Sequence, residues 1–230
     1  MKDKVTIVGG REFGKKLYES LIDPYKEFIS NPIGFKATKT NKVVLVEGIV
    51  NPITAKKVFL NNKDSIHYVF LRNPWNNESR ELYNLVLESS TFYSFNVIIL
   101  PEIYGDDINF GLIYELFNNI KNGTKKEIEY KKDEKIYVME YTECVSFASE
   151  ILKNKFLKGG FKFQGESIYV NDIIKELEKR LNKKSKICFI KTNKIEFSSI
   201  GFPLMRIRNF IKGELYETRR RSRSSNTKNK

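Results

Sequence analysis

The chain has 230 residues, 40% hydrophobic and 13% aromatic, with 41 Lys and Arg against 28 Asp and Glu for a net charge of +13. That length and apolar content suit a sizeable globular core and exclude a wholly disordered chain, and no apolar run approaches the roughly 18–20 residues of a membrane-spanning helix. Cys144 and Cys188 lack metal-ligand spacing and His67 is the only histidine, so no metal is expected, and both thiols are read as reduced. The first strand begins at Lys4, which leaves no leader segment and sets the expectation of a cytoplasmic protein.

In chain order, Lys4–Val8 reads as a short buried strand, Gly9–Gly14 as a glycine turn, and about Lys15–Leu21 as a helix stopped by Asp23-Pro24. Residues 25–41 carry no clear pattern beyond a short strand expected near Ile33-Gly34-Phe35. Lys42–Val46 is a continuous apolar strand of the kind buried on both faces of a parallel sheet. A helix follows over about Asn51–Leu60, then a strand over Ser65–Leu71 that holds His67, read as a half-buried structural residue. Glu78–Ser89 is an amphipathic helix with Leu82, Leu85 and Val86 inward, and Asn96–Leu100 is another buried strand. Phe110–Lys121 is a helix stopped by Asn122-Gly123. Next come an edge-like strand at Lys135–Met139, a helix over Glu143–Lys153, a turn at Gly159-Gly160 and a strand at Phe161–Phe163. A strongly patterned helix over Val170–Leu181 and a strand over Ile187–Ile190 complete the regular elements.

Strands alternating with helices give an α/β fold with a mainly parallel sheet and helices on both faces. The order strand, glycine turn, helix is the one a dinucleotide-binding fold uses to bring a helix N-terminus against a pyrophosphate. Gly9, position 11 and Gly14 match G-x-G-x-x-G except that Arg11 stands at the middle glycine, where a side chain obstructs the approach of backbone to phosphate. Gly9, Gly10, Arg11, Phe13 and Gly14 are therefore the candidate cofactor-binding residues. Arg11 has two open readings, a phosphate-binding guanidinium or a solvent-facing turn residue. The expected organisation is one Rossmann-like domain over residues 1–218, with a small substrate-side α/β lobe from about 155. A basic tail, 219–230, follows and is expected to be disordered when free. Arg219, Arg220, Arg221 and Arg223 make that tail a candidate site for nucleic acid or another acidic partner; without the tail the body keeps about +7.

From Asn96 onward the chain resembles the extended short-chain dehydrogenase/reductase family, the NAD-dependent nucleotide-sugar epimerases and dehydratases. The stretch Val97–Gly105, with Pro101, Tyr104 and Gly105, is similar to the family's strand ending in R-x-P-x-x-Y-G. Asn109–Gly123 resembles the helix that follows, and Tyr137–Val145 the Y-V-x-D-V segment. Phe161–Ile174 resembles the N-x-G-x-G-E-x-x-S-V turn and helix, and Ile200-Gly201-Phe202-Pro203 the C-terminal L-G-W/F-x-P. The resemblance implies NAD or NADP as cofactor, a nucleotide-sugar ligand, and a homodimer paired through helices corresponding to Ile53–Leu60 and Glu78–Ser89.

Four departures fall where the family's chemistry resides. No tyrosine is followed four residues later by lysine, so the Tyr-x-x-x-Lys pair is missing. Tyr68 and Arg72 are the nearest substitute, but they lie about 13 Å apart along a strand. Arg11 replaces the middle glycine, the adenine-ribose acid is absent because Glu27 comes too early, and the N-terminal half is short by one strand-helix unit. Three readings follow. The first is a degenerate relative that binds a nucleotide without catalysis, its pocket lined by the first turn and by Pro101, Glu102 and Tyr104. The second is an active NAD(P)-dependent epimerase or reductase recruiting Tyr104, Glu102 or Tyr141 as acid or base. The third is a basic interaction protein that reuses the fold.

Overall fold

The computed structural model describes residues 4–9, 11–21, 26–29, 42–46, 52–72, 77–106, 108–153, 159–163, 165–190 and 204–206. Gly10, the strand expected at Ile33–Phe35, the Asp23-Pro24 stop, the Ile200–Pro203 match and the basic tail lie outside them. The elements are β1 (Val5–Gly9), α1 (Arg11–Ser20), β2 (Lys26–Ile29), β3 (Lys42–Val46), α2 (Pro52–Asn61), β4 (Ile66–Arg72), α3 (Asn77–Ser89), β5 (Ser94–Leu100) and β6 (Glu102–Tyr104). They continue as α4 (Gly111–Asn122), β7 (Lys125–Ile128), β8 (Lys135–Glu140), α5 (Tyr141–Lys153), β9 (Gly159–Lys162), β10 (Glu166–Tyr169), α6 (Val170–Leu181), β11 (Lys186–Phe189) and β12 (Leu204–Arg206).

Seven strands form one parallel sheet in the order β12-β9-β5-β4-β3-β1-β2. Its central strands are apolar without alternation because both faces are covered. Val44 and Val46 of β3 face α1 and α5, in a cluster with Phe13, Leu17, Cys144 and Ala148. Val43 and Leu45 face α2 and α3, in a cluster with Ala55, Phe59, Leu82 and Val86. A third cluster joins α4 and α6 to β7, β8 and β11, drawing on Leu116, Ile120, Ile128, Val138, Ile173 and Ile174.

Lysines from outside close three helix C-termini, where unpaired carbonyls and the negative end of the helix dipole favour cations. Lys26 of β2 donates to the Tyr18 and Leu21 carbonyls at 2.7 and 2.6 Å, ending α1. Lys42, itself only 5% exposed, reaches the Leu152 carbonyl at the end of α5. Lys183 donates to the Lys121 carbonyl at the end of α4. The Asn122-Gly123 stop is as expected: Gly123 has φ 65°, and Thr124 N–H closes the turn onto the Asn119 carbonyl at 3.0 Å.

The structure corrects five expectations. Helix α1 starts at Arg11, four residues early, because the glycine turn is tight enough for Arg11–Gly14 to form its first turn. Strand β2 lies in the stretch without visible pattern; its four residues are all half-buried, so no apolar run announces it. Gly159 and Gly160 are not a turn but the start of β9, next to Asn96 and Val97, and Asn96 Oδ1 accepts from Gly159 N–H at 3.0 Å. Strand β8 is not an edge but the centre of the sheet β10-β8-β6. Its partners, Glu-Ile-Tyr in β6 and Glu-Ser-Ile-Tyr in β10, are too short and polar to read as strands.

The fifth correction concerns His67, which is 0% exposed rather than half-buried. Its ring lies 5.0 Å from Phe59, 5.2 Å from Phe95 and 6.0 Å from Tyr93, centre to centre. Burial lowers its pKa to about 4, against an opposing backbone hydrogen bond at Asn62. The unfolded chain takes up this proton near 6.5 while the folded chain resists it to about 4, so His67 drains stability as pH falls through that window. The full drain is about 3 kcal/mol below both values. In urea titrations at stepped pH, His67→Phe is expected to flatten the loss between 6.5 and 4 relative to the parent. An unchanged slope would contradict this account.

Candidate functional site

Because the sheet is parallel, Gly9, Val46, Arg72, Leu100 and Lys162 all end strands on one edge. Strand β1 lies between β2 and β3, so the chain leaves it toward one side and returns on the other. Ligands of open α/β sheets bind outside the carboxyl ends of the strands at such a reversal. Among the described residues only β2 lies beyond β1, one strand fewer than in the 3-2-1-4-5-6 order.

The turn at this point depends on two glycines. Gly9 has φ 84°, a left-handed conformation that suits glycine. A Cβ on Gly14 would sit 2.3 Å from the Gly9 carbonyl oxygen and 3.3 Å from the Phe28 ring, so α1 lies closer to β1 than any side chain permits. This is the role of the third glycine of a dinucleotide fingerprint. Arg11 is the first residue of α1. Phe13 points into the core, with its ring 5.8 Å from Phe70 and 6.3 Å from Tyr141. Glu27 forms an ion pair with Lys4 at 2.9 Å, at the opposite edge of the sheet.

Tyr141, only 6% exposed, donates from Oη to the Glu12 carbonyl at 3.1 Å. That bond ties the first turn of α5 to the first turn of α1. Ser20 and Ser149 join the same two helices through hydroxyls 2.6 Å apart. Glu140 caps α5: its carboxylate accepts from Thr142 N–H at 2.9 Å, Glu143 N–H at 3.2 Å and the Thr142 hydroxyl. The Thr142 side-chain bond leads the causes that hold Glu140 below the usual carboxylate range.

Glu102 follows Pro101 at the end of β5 and is half-buried as a residue, with its carboxyl group enclosed by protein. Oε2 accepts from Leu112 N–H at 3.2 Å and so caps α4, whose own N-cap, Phe110, offers no side-chain bond. Oε1 accepts from the Tyr130 hydroxyl at 2.9 Å. Burial raises the Glu102 pKa; the bonds from Leu112 and Tyr130 and the charge of Arg72 oppose it. Burial and the neighbouring Glu102 charge push the Tyr130 hydroxyl far up. Tyr104 lies on the same side of β6 as Glu102 and is 37% exposed. Tyr130 and Glu140 were missed as sequence candidates; a glutamate directly before a helix was the one readable signal, for Glu140.

Thus, of the sequence candidates, Gly9, Arg11, Phe13 and Gly14 share one turn and Tyr141 is bonded to it. Glu102 and Tyr104 belong to the neighbouring β5–β6 end, and the tail arginines lie outside the described residues. Among those residues no group of His, Cys, Asp and Glu could hold a metal ion, and no helix is long and apolar enough to cross a membrane.

Removing the Tyr130 hydroxyl leaves an enclosed carboxylate one donor short, so Tyr130→Phe is expected to cost about 1–3 kcal/mol at pH 7. Because burial holds the folded pKa of Glu102 above its unfolded value near 4.5, the group costs stability increasingly as pH rises from the unfolded value to the folded one. The Tyr130→Phe penalty falls on the charged carboxylate, so it should shrink as pH drops through the raised folded value and be least by pH 4, and Glu102→Gln should remove its pH dependence. Denaturant titrations at pH 7 and pH 4 measure both; equal penalties at the two pH values would refute this.

No protein-family profile matches the sequence, and no curated protein matches it significantly. Solved structures do match. UDP-glucuronic acid 4-epimerase from Bacillus cereus, in complex with UDP-glucuronic acid and NAD, is 13% identical with a TM-score of 0.64, over 83% of this chain and 87% of that one. The NAD-dependent NDP-hexosamine 5,6-dehydratase of tunicamycin biosynthesis is 13% identical with a TM-score of 0.61, over 84% and 86%. The dTDP-glucose 4,6-dehydratase from Bacillus anthracis, in complex with NAD, is 11% identical with a TM-score of 0.60, over 84% and 86%. The chain therefore has the Rossmann-like fold of the NAD-dependent nucleotide-sugar epimerases and dehydratases.

Proposed function

We propose that this protein binds a nucleotide or dinucleotide at the β1–α1 turn and carries out no epimerase, dehydratase or reductase chemistry, acting as a binding or scaffold protein. The observation that carries the reading is the missing Cβ at Gly14, which lets α1 aim its N-terminus at the edge where the strand order reverses. The neighbouring helix N-termini have carboxylates of their own: Glu102 serves α4 and Glu140 serves α5. The residue before α1 is Gly10, which has no side chain to cap it.

Gly9, Gly10 and Gly14 would hold the pyrophosphate of NAD or NADP by backbone approach, with Arg11 adding a guanidinium where the fingerprint has its middle glycine. A bound nicotinamide dinucleotide would supply hydride transfer. Sugar epimerisation also needs a proton exchanged at the sugar by a group of tuned pKa, and the Tyr-x-x-x-Lys pair is absent. Neither buried substitute is available: Tyr141 donates its proton to a backbone carbonyl, and Glu102 has a donor on each oxygen. Tyr104 is the most exposed of the three and the candidate on which an active enzyme would depend.

Thermal shift and calorimetry with NAD, NADP and UDP-sugars at millimolar concentration are expected to reveal binding without turnover. Arg11→Gly is expected to tighten dinucleotide binding. Gly14→Ala is expected to abolish it while costing about 1–3 kcal/mol of stability through the clash with the Gly9 carbonyl. Absence of any shift in the parent and in Arg11→Gly would sink the binding claim; turnover of a UDP-sugar that disappears in Tyr104→Phe would sink the non-catalytic claim.

A further inference from the structure

A second feature, independent of the turn, lies at the far end of the α4–α6 lobe. Strands β7 and β11 form a parallel two-stranded ribbon in which Lys125 stands directly opposite Lys186. Registered residues share a face and sit about 4.8 Å apart, so two like charges here repel. The ribbon turns Ile128, Ile187 and Phe189 toward the lobe's core. Its other face therefore carries Lys125, Glu127, Lys186 and Cys188. Lys183 bonds the Lys121 carbonyl and so brings the ends of α4 and α6 to the same place, adding Lys121, Lys183 and Lys184 to the cluster.

Ordinary structural roles account for part of this charge. Lys126 pairs with Glu115 at 3.0 Å, Lys184 with Glu178 at 3.5 Å, and Lys183 closes α4. Glu178 is further committed to Ser185 N–H at 2.7 Å. Lys121 lies over the Phe117 ring at 5.7 Å. Lys125 and Lys186 are exposed and, among the described residues, form no ion pair, Glu127 included. A Glu at either position would turn a repulsive pair into an attractive one, so the observed pair costs stability.

We infer that this ribbon face, with Lys121 and Lys183 beside it, is a docking surface for the phosphodiester backbone of a nucleic acid. Lysine ammonium groups on flexible stems are point charges suited to phosphates. Beside these lysines Ile190, one residue past β11 and 38% exposed, is a lone aliphatic side chain on this face, whereas protein partners are held by clusters of such anchors. Among the described residues the face has no stacking platform for bases, so the binding is insensitive to sequence and strongly salt-dependent.

The test is fluorescence anisotropy of the full chain with a labelled single strand of roughly 20 nucleotides across a salt series. The parent is expected to bind at low salt. Lys125→Glu/Lys186→Glu is expected to weaken binding about tenfold or more and to flatten the log K against log salt slope by about 1.4 for two lost phosphate contacts. Lys56→Glu/Lys57→Glu on α2 should leave both unchanged. Lys125→Glu alone should raise the melting temperature while weakening binding, a divergence that a structural role would not produce. If the double Glu variant fails to fold, Lys125→Gln/Lys186→Gln makes the same comparison. Three results would overturn the inference: no binding by the parent, full binding by the double variant with loss on replacing Arg219, Arg220, Arg221 and Arg223, or displacement by a polyglutamate peptide as effective as by unlabelled nucleic acid.

Discussion

The structure depends on how closely α1 can lie against β1. Gly14 has no Cβ, and the Gly9 carbonyl oxygen lies 2.3 Å from where one would stand. That contact sets the angle at which the helix leaves the sheet, and the angle decides which residues reach the core. Phe13 and Leu17 fall onto Val44, Val46 and Phe70, while Tyr141 and Ser149 of α5 bond the helix near its start and its end. A side chain at position 14 would push out the helix and, with it, the face on which α5 is built.

The same economy governs the charges. A chain with 41 Lys and Arg has more cations than acids to pair them with, and the fold places several at helix ends. Lys26, Lys42 and Lys183 each come from outside the helix they close, Lys183 adding to the Gly123 stop of α4. Acids do the converse work at N-termini, where Glu102 and Glu140 serve α4 and α5. The bonds from Lys42 to Leu152 and from Lys183 to Lys121 join segments distant in sequence, so these caps act as tertiary contacts as much as local stops. The lysines of the β7–β11 ribbon stand apart because two of them have no such employment.

Much of this was legible in the sequence, and the limits have physical causes. Central strands such as Lys42–Val46 and the helix Val170–Leu181 announced themselves because burial on two faces, or on one helical stripe, writes a period into the residues. The glycines at 9 and 14 were readable because the conformation and the close approach require glycine. Strands β2, β6, β7 and β10 were not, since three or four half-buried or polar residues carry no period. The pairing of Glu102 with Tyr130 joins positions 28 residues apart and leaves no local trace. His67 misled for a related reason: its polarity suggested partial exposure, while the aromatic rings around it come from α2, from β5 and from the turn before β5.

The bond between Tyr141 and the Glu12 carbonyl spans 129 residues, and so does the contact between Ser20 and Ser149. Strand β1 is made well before α5 and is also flanked on both sides in a parallel sheet, whose pairings cannot close locally. The N-terminal unit must therefore wait, with its apolar helix face uncovered, until residues near 150 have been synthesised. At ordinary elongation rates that delay is on the order of ten seconds. A fold organised around its first turn is thus completed at that turn among the last, and its synthesis depends on keeping an early segment soluble until a late one arrives.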